Sequence, residues 1–447
     1  MGNMVAAAIF VCLAIAGAIF FVVYPGPLFV WYLLVKPVVD GFLEQGASIG
    51  GVTVSFSYLP SLVMPTMLLA VSMFHAGRFR HLPFKGLIIF YYVLNVIAYF
   101  REGHYGIGTT GYYIRVIFPV FLYFGVPLFV EGRAALEKLT KIAAISGIFP
   151  CGMIFLQRLG FIRYNRAAEK LGDVVYERAT GGYSDSFSVA LPIIIAIFFL
   201  LQIIQTNKEE GKYQKIWEIL LGGYLLSLIF TFHRMTFVVI FVVLCMWIFL
   251  NRRIGYALVL GGLGLFFFST LSVFVPDFLG QVDIIADTGN SIYANSDKAI
   301  ALEGSALHGR GRLWSFFLNA YANASFLDQV LGIKLPGRAP HNDYIRVLFT
   351  VGAFGLIVYL FMLTLIGAKM LSIMRYYEKA GDIFFKNFAQ TCLFMFVFYI
   401  LSGMTLTIST LSTMSWYFWF LFGIIGYQHS LVLDAQRKEL RQSFVFS

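Results

Sequence analysis

Twelve apolar runs, each near the length of a membrane-crossing helix, punctuate this chain of 447 residues. A helix needs about 20 consecutive apolar residues to cross the hydrocarbon of a bilayer. Runs of that kind fall at 4–23, 57–75, 86–100, 111–130, 141–157, 187–205, 216–231, 235–250, 254–275, 342–370, 387–405 and 412–428. Charged residues make up 13% of the chain, about half the share that soluble domains carry. That shortage excludes a water-soluble enzyme, a disordered chain and a secreted disulfide scaffold. An aromatic share of 18% suits rings that face lipid and line its interfaces. The expected fold is an all-α polytopic membrane protein with about 12 transmembrane helices. Helices 1–9 occupy residues 1–275, a large loop with short amphipathic helices fills 276–341, and helices 10–12 with a tail fill 342–447.

The first run has no basic segment before it and no small-residue cleavage pattern after it, so 4–23 reads as a span, not a signal peptide. Residues 24–38, where Tyr24-Pro25-Gly26-Pro27 interrupts the pattern, fit either a re-entrant piece or an extra span. Cys12, Cys151, Cys245 and Cys392 lie far apart inside apolar runs and read as small buried hydrophobes. The net charge of +10 is not a nucleic-acid signal, because the basic residues sit in short loops between apolar runs. There they set membrane orientation or meet anionic lipid and phosphate.

Lys and Arg collect in alternate loops: Arg78, Arg80 and Lys85; Arg133, Lys138 and Lys141; Lys208, Lys212 and Lys215; Arg252 and Arg253; Arg375, Lys379 and Lys386; Arg437, Lys438 and Arg441. The positive-inside rule puts these loops, and both termini, in the cytoplasm. Loops 36–56, 101–110, 158–186 and 276–341 then face outward. Two of them carry basic residues against the rule: Arg158, Arg163, Arg166, Lys170 and Arg178 in one, Arg310, Arg312, Lys334 and Arg338 in the other. Long loops escape the rule, and an anionic substrate at the outer face would also explain them. From Leu313 to Leu331 apolar residues recur at helical spacing, as in an amphipathic helix on a membrane surface.

Pro340-His341-Asn342-Asp343-Tyr344-Ile345-Arg346 stands at the mouth of the tenth span. A His at a membrane boundary stays wet enough to exchange protons near neutral pH. Asn342 and Asp343 can hydrogen-bond one ring nitrogen and leave the other as an acceptor, the arrangement a general base needs. The same residues also make a plain helix cap. Arg234, in Thr231-Phe232-His233-Arg234-Met235-Thr236, joins two spans with almost no loop between them, so it sits at the outer face. A charge at such depth tends to be functional, although a long side chain can also snorkel to the interface. Arg310 and Arg312 can present two guanidinium forks to one phosphate. Arg101 and Arg115 flank a Gly-rich outer loop that also holds His104. No Walker motif, DxD signature or Ser-centred elbow is present, and the pattern calls for no cofactor or metal.

The order Gly309-Arg310…Trp314, then Gly332 and Gly337, then His341-Asn342-Asp343-Tyr344…Leu348…Gly352…Gly355-Leu356 resembles the C-terminal signature of the O-antigen ligase and polysaccharide polymerase superfamily. The His233-Arg234 junction resembles that family's Ser-Arg turn, with His in place of Ser. The resemblance covers residues 200–370. It implies a metal-independent, inverting glycosyltransferase of the GT-C type in a bacterial inner membrane, with its site on the periplasmic face. The implied donor is a glycan on undecaprenyl pyrophosphate, and the implied acceptor is a growing glycan or a lipid A–core sugar. Membrane lipids and a chain-length regulator complete the partners, and nucleic acid is not among them. By position, Arg234 and Arg310 or Arg312 would hold the pyrophosphate and His341 would activate the hydroxyl. Asn342, Asp343, Arg346, Arg338, Arg101, Arg115 and Trp314 would support that site or bind glycan. The polymerase is the leading expectation and the ligase the first alternative. A twelve-span transporter is disfavoured because the spans read as nearly free of buried charge.

Overall fold

The computed structural model describes residues 23–41, 46–49, 52–55, 58–103, 106–162, 167–171, 174–212, 214–231, 233–251, 310–334 and 340–445. The expected spans 4–23 and 254–275, the loop segment 276–309, His104 and Arg338 lie outside the described residues. The chain runs α1 (Pro25–Gly41), a hairpin β1–β2 (Gly46–Ile49, Val52–Ser55), α2 (Tyr58–Met73), α3 (Lys85–Glu102), α4 (Ile107–Ile117), α5 (Val120–Gly125), α6 (Gly132–Ser146) and α7 (Ile148–Arg158). A second hairpin, β3–β4 (Ala167–Leu171, Val174–Arg178), precedes α8 (Ser186–Glu209), α9 (Lys215–Thr231) and α10 (Arg234–Leu250). Then come α11 (Arg310–Ala322), α12 (Phe326–Leu331), α13 (Asp343–Ala380), α14 (Ile383–Gly403) and α15 (Ser412–Val445).

Among the described residues five helical segments are long and apolar enough to cross a membrane: Thr109–Leu128, Gly132–Arg158, Ser186–Glu209, Asp343–Ala380 and Ile383–Gly403. The described residues are helical as expected, with two short hairpins between helices. The loops 36–56 and 158–186, expected to face outward, each hold an antiparallel hairpin, in register Gly46↔Ser55 and Ala167↔Arg178. The doubtful stretch 24–38 is helical, and α1 packs along α6 and α7.

α8 is the centre of the bundle. It is apolar on every side, as a helix enclosed by others must be, and 89% of its span is buried. Its start is fixed by Asp185, whose carboxylate accepts from the backbone N–H of Phe187 and Ser188 at 2.8 Å each; such a cap satisfies amides that the helix itself cannot. α6, α9 and α14 pack around α8, while α15 closes the bundle against α5, α13 and α14. Large apolar side chains point outward from α3, α10 and α13, among them Ile97, Phe100, Phe241, Phe249, Ile357 and Phe361. Water disfavours such a surface and lipid accommodates it.

The expected tenth span departs from a straight helix in a way that shapes the site. Gly352 has φ 80° and ψ 179°, a conformation open essentially to glycine alone. It divides α13 into a short limb, 343–351, and a long one, 353–380. A straight helix would separate Asp343 from Tyr359 by about 24 Å. Instead the Tyr359 hydroxyl donates to the Asp343 carboxylate at 3.0 Å, so the short limb folds back along the long one. The long limb, 353–380, is by itself long enough to cross a membrane.

Candidate functional site

The fold-back limb carries the expected general base at its exposed end. His341 has φ 48°, a left-handed conformation that few non-glycine residues adopt, and its side chain is exposed. The turn around it is gripped from two directions. The Trp314 indole N–H on α11 donates to the Pro340 carbonyl at 2.9 Å. Asn342 caps the limb by accepting from the Ile345 N–H at 3.0 Å, and its amide donates to the Met404 carbonyl at 2.8 Å. Trp314 thus fixes the backbone beside His341.

Asp343 and Arg346 do not behave as expected. Both are fully buried and form an ion pair of 2.8 Å. Asp343 also accepts from the Ser409 hydroxyl at 2.6 Å. With its oxygens turned to Arg346, Tyr359 and Ser409, Asp343 does not orient the His341 ring, and Asn342 is likewise committed to backbone groups. Arg346 cannot reach a glycan from the interior. The phenols of Tyr91 and Tyr112 lie beside its guanidinium, but Nη1 and Nη2 find no partner in hydrogen-bond geometry among the described residues. A second buried pair joins Lys36 to Asp40 at 2.9 Å, with the Lys36 ammonium 4.9 Å from the Trp416 ring centroid. Buried charge is therefore present in the bundle, in α1, which covers the stretch 24–38, and in the short limb of α13.

Arg234 is the first residue of α10, preceded by the His233 turn, whose ring lies 4.9 Å from that of Phe187 at the start of α8. Arg310 and Arg312 fall in the first turn of α11. The expected amphipathic stretch is two helices, α11 and α12, broken at Asn323–Ser325. Arg115 donates from Nε to the Gly111 carbonyl of its own helix at 3.2 Å.

Arg101 belongs to a feature that sequence reasoning missed. It pairs with Asp328 of α12 at 2.9 Å, on the rim of a cavity of 270 Å³ bounded also by Glu102, Ile333, Lys334 and Thr350. Glu102 is buried, and the Tyr113 hydroxyl donates to it at 3.2 Å. One wall is fixed by a crossing of two glycines with positive φ, Gly332 and Gly352, each so close to the other strand that a Cβ would collide with backbone. The Ile333 N–H donates to the Phe349 carbonyl beside that crossing at 2.6 Å. In the sequence, Glu102 beside Arg101 at a span end and Lys334 after α12 were the available signals; only the fold joins them.

Comparison of the sequence with models of known families gives no match, and no curated protein matches it.

Proposed function

We propose that this protein is a polysaccharide polymerase. It transfers a glycan from undecaprenyl pyrophosphate to a sugar hydroxyl at the periplasmic face of a bacterial inner membrane. In this reading His341 takes the proton from the acceptor hydroxyl, and Arg234 with Arg310 or Arg312 neutralises the departing pyrophosphate. The observation that carries the reading is the treatment of His341. Its backbone is strained and tied to α11 and to the α14–α15 turn, while its side chain stays at the surface. Strain of that kind persists where surroundings over-determine it, commonly at functional sites.

The buried ion pairs are the observation that favours transport, since charge inside a bundle often marks an ion path. Both pairs, however, are neutralised within one helix, at i,i+4 and i,i+3. Neither borders the cavity at Arg101.

The test is the glycan profile of a deletion strain carrying variants. Loss of a polymerase leaves single repeat units; loss of a ligase leaves long chains on the lipid carrier. His341→Gln, expressed at wild-type level, should fail to restore polymer, because losing a general base costs roughly 10²–10⁴-fold. Normal polymer from the Gln variant would remove His341 from the chemistry.

A further inference from the structure

We infer that the cavity bounded by Arg101, Glu102, Asp328 and Lys334 is a saccharide subsite, holding the hydroxyls of a glycan whose reacting end lies at His341. The inference rests on the glycosyltransferase reading and adds where the glycan lies.

The charge balance selects the ligand chemistry. Two cations and two carboxylates line one cavity, and Arg101 is already matched by Asp328. An incoming phosphate would face both carboxylates, whereas a neutral polyol meets donors and acceptors together. A carboxylate accepts from hydroxyls on two oxygens, and guanidinium and ammonium groups only donate. Sugar hydroxyls do both. Ala98 and Ile333 supply apolar wall for the C–H face of a pyranose ring. At 270 Å³ the space is far larger than the share of one water, about 30 Å³, and near the lower end of ligand pockets.

The geometry also relates the cavity to His341. Trp314 touches the His341 turn through Pro340, and Tyr321, seven residues on along α11, donates to the Gln329 carbonyl beside the cavity wall. Seven residues of helix span about 10 Å. The cavity therefore lies a short oligosaccharide away from the base. The Gly332–Gly352 crossing holds the wall in place, so the subsite is preformed.

Equilibrium binding by the purified full-length protein in nanodiscs tests this. The probe is the lipid-free repeat-unit oligosaccharide released from the producing strain's own surface polysaccharide. Wild-type protein should bind it, and Glu102→Gln and Lys334→Met should each weaken binding about tenfold, the usual loss for one charged hydrogen bond. Ala98→Leu keeps every charge but fills the cavity, and should weaken binding as much. Each variant is compared at an unchanged unfolding temperature. The subsite is overturned if wild-type protein does not bind, if Ala98→Leu and Lys334→Met bind normally, or if inorganic phosphate displaces the oligosaccharide. The polymerase reading fails separately: a deletion strain with normal polymer refutes it, even where the purified protein binds the sugar.

Discussion

At Asp343 a single carboxylate accepts from Arg346 Nε, from the Tyr359 hydroxyl, and from both the hydroxyl and the backbone N–H of Ser409. It thereby joins the fold-back limb to the long limb of α13 and to the α14–α15 turn, directly behind His341. Asp343→Asn would leave Arg346 buried and uncompensated. That should cost about 3–5 kcal/mol, read as a lowered unfolding midpoint of the purified protein. The double change Asp343→Leu with Arg346→Met removes both charges and should recover part of the loss. Recovery stays incomplete, because the Tyr359 and Ser409 hydroxyls lose their acceptor, at about 1–3 kcal/mol each. An Asp343→Asn protein as stable as wild type would mean that the pair contributes nothing net. In the sequence, Asp343 reads only as a neighbour of His341. Beyond Arg346, its partners lie 16 and 66 residues away, and no local pattern connects them.

Helix existence was legible because apolar runs of this length have few other solutions, and α8, α9, α10 and α14 fall close to their expected runs. The break at Gly352 was not, since a glycine inside an apolar run is tolerated and leaves the hydropathy unchanged. The hairpins did carry a signal that hydropathy drowned. In the sequence, Gly50-Gly51 and Gly172-Asp173 are dipeptides of the composition that favours a tight hairpin. Gly352 and Gly381 allow a controlled test of the break. Both have positive φ, 80° and 72°, but a Cβ on Gly381 meets nothing nearby, while one on Gly352 collides with the Val330 carbonyl. Gly381→Ala should therefore cost only about 1–2 kcal/mol, the price of a left-handed alanine. Gly352→Ala should cost well beyond that and free the limb, seen as new protease cleavage between residues 334 and 351. Equal behaviour of the two variants would show that the crossing with Gly332 is not close.

Across the whole molecule, the loops rich in Lys and Arg meet at one end. Arg78 reaches Glu131 at 2.7 Å, His81 reaches Asp434 at 3.0 Å, Lys386 reaches Glu209 at 2.8 Å, and Arg133 pairs with Glu210. The loops expected to face outward meet at the other end: Arg101 with Asp328, Arg158 with the Phe230 carbonyl, and Asn342 with the Met404 carbonyl. The loops that the charge pattern groups together are thus also the loops that touch. α1 changes the bookkeeping of crossings. Gly26 near its start abuts the Phe129 carbonyl at the basic end, whereas Asp40 near its finish accepts from Thr413 at the opposite end. α1 therefore traverses the bundle from the basic end to the opposite end. The segment 4–23 lies outside the described residues; the prediction is that it crosses from the outer side and places Asn3 there. The expectation that both termini are cytoplasmic counts no crossing at 24–38, a stretch that the sequence leaves open between a re-entrant piece and an extra span. The prediction is read by labelling single-cysteine variants in intact cells with an impermeant thiol reagent, against a background lacking the native cysteines. Asn3→Cys and Phe326→Cys should react and Lys379→Cys should not. A silent Asn3→Cys beside a reactive Phe326→Cys would mean that 4–23 does not cross. A reactive Lys379→Cys would invert the whole arrangement and overturn the periplasmic site proposed for His341.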